Sequence, residues 1–222
     1  MGKLMVIDGL DGSGKSTQLD LLDAYLTQKG VAYRQISFPD YAQPSSALVK
    51  MYLGGELGGS PAAVNAYAAS SFYAVDRYAS YTCFWQEDYA ADTPIVAARY
   101  TTSNAIHQLT KLPREEWDNY LAWLENYEYD KLGLPKPDKV VFLDMPLEVS
   151  QRLLAKRYHG DEAKKDIHER DTSYLAACRA AALYAAEKCG WVVLPCSDGE
   201  NPLAPEEIHR QLISLFEDMT GE

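Results

Sequence analysis

Between residues 9 and 16 the chain reads Gly9-Leu10-Asp11-Gly12-Ser13-Gly14-Lys15-Ser16, which satisfies G-x-x-x-x-G-K-[ST] at every position. The flanks agree with the motif. Leu4 to Asp8 is a short apolar run, and Leu19, Leu22 and Leu26 follow at helical spacing. Strand, glycine-rich loop and helix is the order that lets a loop wrap phosphate oxygens. Backbone N–H groups turn inward only where no Cβ obstructs them, and the helix amino terminus adds its dipole. In this reading Gly9, Gly12, Ser13 and Gly14 form the cradle and Lys15 supplies a point charge for the β and γ phosphates. Ser16 is placed to join a Mg²⁺ shell, with Thr17 as a secondary candidate. The motif specifies a nucleoside triphosphate site. It leaves the acceptor open, because kinases, GTPases, motors and transport ATPases all share it.

The rest of the chain alternates between two patterns. Val31 to Phe38, Thr93 to Ala98, Lys139 to Asp144 and Trp191 to Leu194 are brief runs of the kind that fill buried parallel strands. Between them, helices are predicted over Ser45 to Leu53, Pro61 to about Gln86, Thr101 to Leu109, Glu115 to Tyr127, Leu147 to Tyr158, Thr172 to Cys189 and Pro205 to Met219. This predicts one α/β domain over 1–222, a three-layer α/β/α sandwich on a five-stranded parallel sheet with ligands at the carboxyl ends of its strands. His159 to Ile167 breaks the pattern: it is polar, charged and set between two helices, as a mobile lid over about 157–171 would be.

Acidic residues outnumber basic ones by 32 to 21, and a net charge of −11 repels a polyphosphate backbone, so nucleic acid is not expected as a partner. A small anionic substrate remains compatible, because local Lys and Arg clusters override the overall field. The amino-terminal apolar run is far too short for a secretory signal and no later run approaches a membrane span, so a cytoplasmic protein without membrane attachment is expected. Cys83, Cys178, Cys189 and Cys196 lack C-x-x-C spacing and read as buried reduced thiols.

Several separated motifs, in order, resemble the thymidylate kinase family of P-loop kinases over nearly the whole length. The first is Ile7-Asp8-Gly9-Leu10-Asp11-Gly12, and the resemblance implies that Asp11 approaches the metal and the sugar 3′-hydroxyl of the acceptor. The second is Phe38-Pro39-Asp40-Tyr41, which makes Phe38 and Tyr41 acceptor-site residues. The third is Tyr73-Ala74-Val75-Asp76-Arg77. Spacing i, i+4 puts Tyr73 and Arg77 on one face, the ring to stack on a pyrimidine and the guanidinium to donate to a base carbonyl. The fourth is Arg99-Tyr100-Thr101-Thr102-Ser103-Asn104, with Arg99 on the acceptor phosphate and Asn104 reading N3–H and O4 of the base. The fifth is Leu143 to Glu148, followed by Arg152, Arg157 and Asp166 to Asp171, which resemble the lid region.

The resemblance implies ATP and dTMP as substrates, Mg²⁺ as cofactor and a homodimer. Gly12 stands where one branch of the family keeps a catalytic arginine, so the lid is expected to supply the cation, with Arg157 first in a pool of Arg152, Lys156, Lys164 and Lys165. Three positions depart from the pattern: Asp40 for a basic residue, Ala98 for the usual Asp, and His107 for an aromatic, which reads as a satisfied surface histidine. Two other readings stay open at this point. One is a deoxynucleoside kinase that uses Asp40 as base toward a 5′-hydroxyl, and the other is a nucleotide-binding regulator without turnover.

Overall fold

The computed structural model describes residues 1–58, 63–157 and 172–221, apart from the side chains at 156 and 157. The expected lid lies outside the described residues from 158 to 171, and the side chain of Arg157 lies outside them too. Five parallel strands, β1 (Leu4–Gly9), β2 (Arg34–Ser37), β3 (Ile95–Ala98), β4 (Lys139–Asp144) and β5 (Val192–Pro195), form one sheet in the order β2-β3-β1-β4-β5. Around it lie helices α1 (Lys15–Lys29), α2 (Ala47–Leu53), α3 (Ala66–Ser80), α4 (Gln86–Ala90), α5 (Thr101–Gln108), α6 (Trp117–Glu125), α7 (Leu147–Arg157), α8 (Thr172–Cys189) and α9 (Pro205–Thr220).

Strand β1 is buried along its whole length, because β3 and β4 flank it and helices cover both faces. Side chains alternate across a strand. Met5 and Ile7 therefore join Leu19, Leu22 and Leu26 of α1 and Leu212 and Phe216 of α9 in one layer. Leu4 and Val6 meet Ile95, Ala97, Trp85 and Tyr100 in the other. Phe142 of β4 extends that second face against Ile106 of α5 and Cys178 and Ala182 of α8. Each fully buried Leu, Ile, Val, Met or Phe side chain among them contributes about 2 kcal/mol of transfer free energy. The three leucines that marked α1 in the sequence are buried, and Gln18 is buried beside them.

Two predicted elements begin at least three residues later than expected. The second strand begins at Arg34 rather than Val31, because the Val31 N–H is spent on the Leu26 carbonyl (3.0 Å), closing α1 around Gly30 at φ 71°. The long helix predicted from Pro61 to Gln86 starts at Ala66, where the Asn65 side chain accepts from the Ala68 N–H at 2.8 Å. It runs to Ser80 and passes into a π turn, Tyr81–Trp85, before α4. The wider turn changes the helical register and seats Trp85 wholly inside a ring cluster with Tyr81, Tyr89 and Tyr100. A second π turn, Asn126–Lys131, follows α6 and carries Glu128 into the interior.

All four cysteines are free, and Cys83 is exposed rather than buried as expected, while Cys178 and Cys196 are buried. Among the described residues no helix is long and apolar enough to cross a membrane.

Candidate active site

Two cavities open side by side at the carboxyl end of the sheet. One, of about 520 Å³, is bounded by the whole loop from Asp11 to Thr17, by Gln35 and Ala98 at the strand ends, and by Leu153 and Leu154 of α7. The other, of about 430 Å³, is bounded by Phe38, Tyr41, Tyr52, Tyr73, Arg77, Asn104, His107 and Tyr174. Asp11, Ser37 and Arg99 line both. A group bound in one cavity and a group bound in the other meet at these three side chains.

The first cavity has the form expected of a phosphate cradle. Gly12 and Gly14 take φ values of 78° and 92°, which side chains rarely adopt. A Cβ on Gly12 would also come within 2.9 Å of the Ser150 carbonyl on α7, so the close packing of α7 leaves no room for an arginine at that position. Lys15 Nζ donates to the carbonyls of Gly9 (2.6 Å) and Leu10 (2.9 Å) and stands 3.9 Å from Asp11. Burial lowers its pKa to about 8, and the nearby Arg99 adds to that against the pull of Asp11 and Asp8. The Ser13 hydroxyl is buried without a partner among the described residues. Ser16 and Thr17 are exposed at the start of α1, and Ala98, which stands where the family pattern usually has Asp, lines the cavity.

Arg99 leaves β3 at φ 63°, an uncommon conformation for a side-chain-bearing residue, with its N–H on the Ile7 carbonyl at 3.1 Å. Its Nη2 donates to Asp11 Oδ1 at 2.7 Å, and Nη1 lies 3.8 Å from Asp8. Burial alone would pull the pKa of Arg99 down, and these two carboxylates raise it instead. Asp8 is itself fully buried. It accepts from the Gly9 N–H (2.8 Å) and from the hydroxyls of Thr102 (2.6 Å) and Ser103 (2.7 Å), tying the loop to the first turn of α5. The signal for this role of Asp8 in the sequence is an acid inside an apolar strand run.

The second cavity is aromatic on one side and polar at its back. Tyr73 lines it with its ring edge-on to Tyr52, and burial raises the Tyr73 pKa. Phe38 is buried against Tyr100, and Tyr41 stands at the mouth, about half exposed. The loop carrying both is held by buried Asp76, which accepts from the Asp40 N–H (2.9 Å) and the Ser45 hydroxyl (2.6 Å). Arg77 is 1% exposed. Its Nε and Nη2 both donate to Glu128 at 2.6 Å, and Nη1 donates to the Tyr100 carbonyl at 3.2 Å. Burial works against that charge, and the Glu128 carboxylate more than restores it, so the Arg77 pKa is raised.

Asn104, expected to offer both an acceptor and a donor to the base, donates through Nδ2 to the Ser70 carbonyl (3.2 Å) and Glu128 (3.0 Å). His107 needs a correction. It is half-buried in the cavity wall, stacked on Tyr174 with Nδ1 3.1 Å from the Tyr174 hydroxyl. Asp40 lines neither cavity. Arg152 is exposed and donates to the Glu200 carbonyl. Lys156, Arg157, Lys164 and Lys165 lie outside the described residues or have side chains that do. Glu128, Ser37 and Tyr174 were not anticipated. Glu128 had one available signal, an acid between Tyr127 and Tyr129 at the end of an apolar helix.

Comparison with known proteins bears on family and fold. The family model described as Thymidylate kinase matches residues 7–209. The thymidylate kinase of Mycobacterium tuberculosis is 30% identical over 184 residues, which cover 82% of this chain and 84% of that one. That of Fervidobacterium nodosum is 25% identical over 210 residues, covering 94% and 95%. The solved structure of thymidylate kinase from Candida albicans superposes with a TM-score of 0.71 at 22% identity, over 100% of this chain and 94% of that one, and so matches the fold. The chain belongs to the thymidylate kinase family.

Proposed function

We propose that this chain catalyses ATP-dependent phosphorylation of dTMP to dTDP, with ATP in the cavity of the glycine-rich loop and dTMP in the aromatic one. The observation that carries this is the shared boundary: Asp11, Ser37 and Arg99 line both cavities, so the donor γ-phosphate and the acceptor phosphate are brought together at one arginine. The acceptor phosphate has a second pKa near 6 and is largely dianionic at neutral pH. It attacks without a general base. The protein's work is to align two anions and to neutralise the charge on the transferred group.

Lys15 serves the β and γ phosphates by exchanging its two loop carbonyls for phosphate oxygens. Arg99 turns its fork to the acceptor phosphate. Asp11, released toward the sugar, takes the 3′-hydroxyl. Tyr73 stacks on the base, Phe38 and Tyr41 close the cavity from the loop side, and Arg77 and Asn104 face the base edge. Arg157 is proposed as the lid cation. Ser16 and Asp11 supply oxygen donors that suit Mg²⁺, which when bound neutralises phosphate charge. A homodimer is proposed through the exposed apolar side chains Val75, Tyr78 and Phe84 along the long helical segment, and a cytoplasmic location through the absence of a membrane-spanning helix among the described residues.

The deoxynucleoside kinase reading needs a base at the acceptor, and Asp40 lines neither cavity. The test is ADP release with ATP, Mg²⁺ and one acceptor at a time from dTMP, dUMP, dCMP and thymidine. Turnover dependent on dTMP is expected, and turnover with thymidine alone would overturn the proposal.

A further inference from the structure

We infer that Glu128 sets the base preference of the acceptor cavity by fixing which way Asn104 and Arg77 face it; this rests on the reading of that cavity as the dTMP site. Glu128 is wholly buried and belongs to none of the motifs that mark the site. One carboxylate oxygen, Oε1, accepts from both Arg77 Nη2 (2.6 Å) and Asn104 Nδ2 (3.0 Å), and Oε2 accepts from Arg77 Nε (2.6 Å).

The consequence for Asn104 follows from hydrogen-bond inventory. Its amide group meets two acceptors, the Glu128 carboxylate and the Ser70 carbonyl, so the NH₂ must occupy that side. Both amide hydrogens are used there, and Oδ1 is what Asn104 offers to the cavity it lines. Arg77 spends Nε and one hydrogen of Nη2 on Glu128 and one hydrogen of Nη1 on Tyr100, which leaves an N–H on each Nη for the cavity. An acceptor beside donors is the complement of a ring N–H beside a carbonyl. Thymine and uracil present that edge. Cytosine presents a ring acceptor beside an amine, which sets acceptor against acceptor and donor against donor.

A carboxylate is the side chain that achieves this, because it offers acceptors only. In Glu128→Gln one position becomes NH₂. If the remaining oxygen faces Asn104, the new NH₂ faces Arg77 Nε. If it faces Arg77 Nε, the NH₂ faces Asn104 and turns that amide around, presenting NH₂ to the cavity. Both orientations degrade recognition of thymine, and the second relieves one of the two mismatches with cytosine, that at its ring nitrogen. Glu128 is a positioning residue: it acts through Asn104 and Arg77.

The experiment compares kcat/KM for dTMP and for dCMP in the wild type and in E128Q, with the KM for ATP measured alongside. The dTMP-to-dCMP ratio is expected to fall by about tenfold or more in E128Q while the KM for ATP stays unchanged. A ratio unchanged in E128Q, whatever the drop in rate, would overturn the inference while leaving the dTMP reading intact. A wild type that turns over no dTMP would instead overturn the reading of the cavity, and this inference with it. A second measurement does not depend on the variant folding. In ligand-free wild type, the side-chain NH₂ of Asn104 should exchange with solvent about tenfold or more slowly than that of exposed Asn201. Equal exchange would overturn the inference.

Discussion

The Arg99 guanidinium donates to the Asp11 carboxylate at 2.7 Å, on the boundary where the two cavities of the site meet. Each partner comes from a different strand end, Asp11 after β1 and Arg99 after β3, and the pairing of those strands brings them together. Each side chain thus occupies the other, and the proposed reaction requires both to be redeployed, Arg99 to the acceptor phosphate and Asp11 to the sugar.

Arg99→Lys should therefore separate binding from chemistry. A lysine keeps the charge but loses the planar fork, so kcat is expected to fall by about 10² or more, with ATP affinity altered little. Steady-state kinetics and direct nucleotide titration of the same preparation check this. An equal loss in both would place Arg99 in donor binding.

Asp76→Ala should loosen the loop that carries Phe38 and Tyr41, since the Asp40 N–H and the Ser45 hydroxyl lose their buried acceptor. The KM for dTMP is expected to rise while that for ATP stays constant. Folding stability should fall by about 1–3 kcal/mol, read from denaturant unfolding.

Gly12→Ala tests the packing of α7 on the loop. The residue sits at φ 78° and an added Cβ would meet the Ser150 carbonyl at 2.9 Å. A loss of about 1–3 kcal/mol is expected, visible as a lower Tm.

Much of this site was legible because its signals are local. The glycine-rich loop needs consecutive residues of fixed type, and the i, i+4 pair Tyr73 and Arg77 shares a helix face wherever that helix packs. What was missed depends on contacts far apart in sequence. Glu128 lies 51 residues from Arg77 and 24 from Asn104, and a π turn, which leaves no period in the sequence, points it inward. His107 reads as a surface residue until α8 brings Tyr174 against it. The commitment of the Asn104 amide hydrogens was not legible for the same reason: its partners Ser70 and Glu128 are visible only in the fold.

Lys111 supplies a pH signature independent of the chemistry. Its Nζ donates to the Tyr52 hydroxyl (2.8 Å) and the Val64 carbonyl (3.0 Å), and burial lowers its pKa from 10.5 to about 8. Between pH 8 and 10.5 the unfolded chain holds the proton that the folded one has released, so stability rises with pH across that window; below pH 8 the cost is fully present. Because the side chain is only partly buried, the effect is about 1 kcal/mol. Unfolding free energies at a series of pH values should show the rise in the wild type and its loss in Lys111→Met.

Passage of the γ-phosphate from ATP to the phosphate of dTMP at Arg99 is read out by label transfer. Enzyme, Mg²⁺ and ATP labelled at the γ position are incubated with dTMP or with thymidine, and the products are separated. Label in dTDP that depends on dTMP, and is lost in Arg99→Ala, is the predicted result. Label appearing in dTMP made from thymidine, or only in free phosphate, would contradict it.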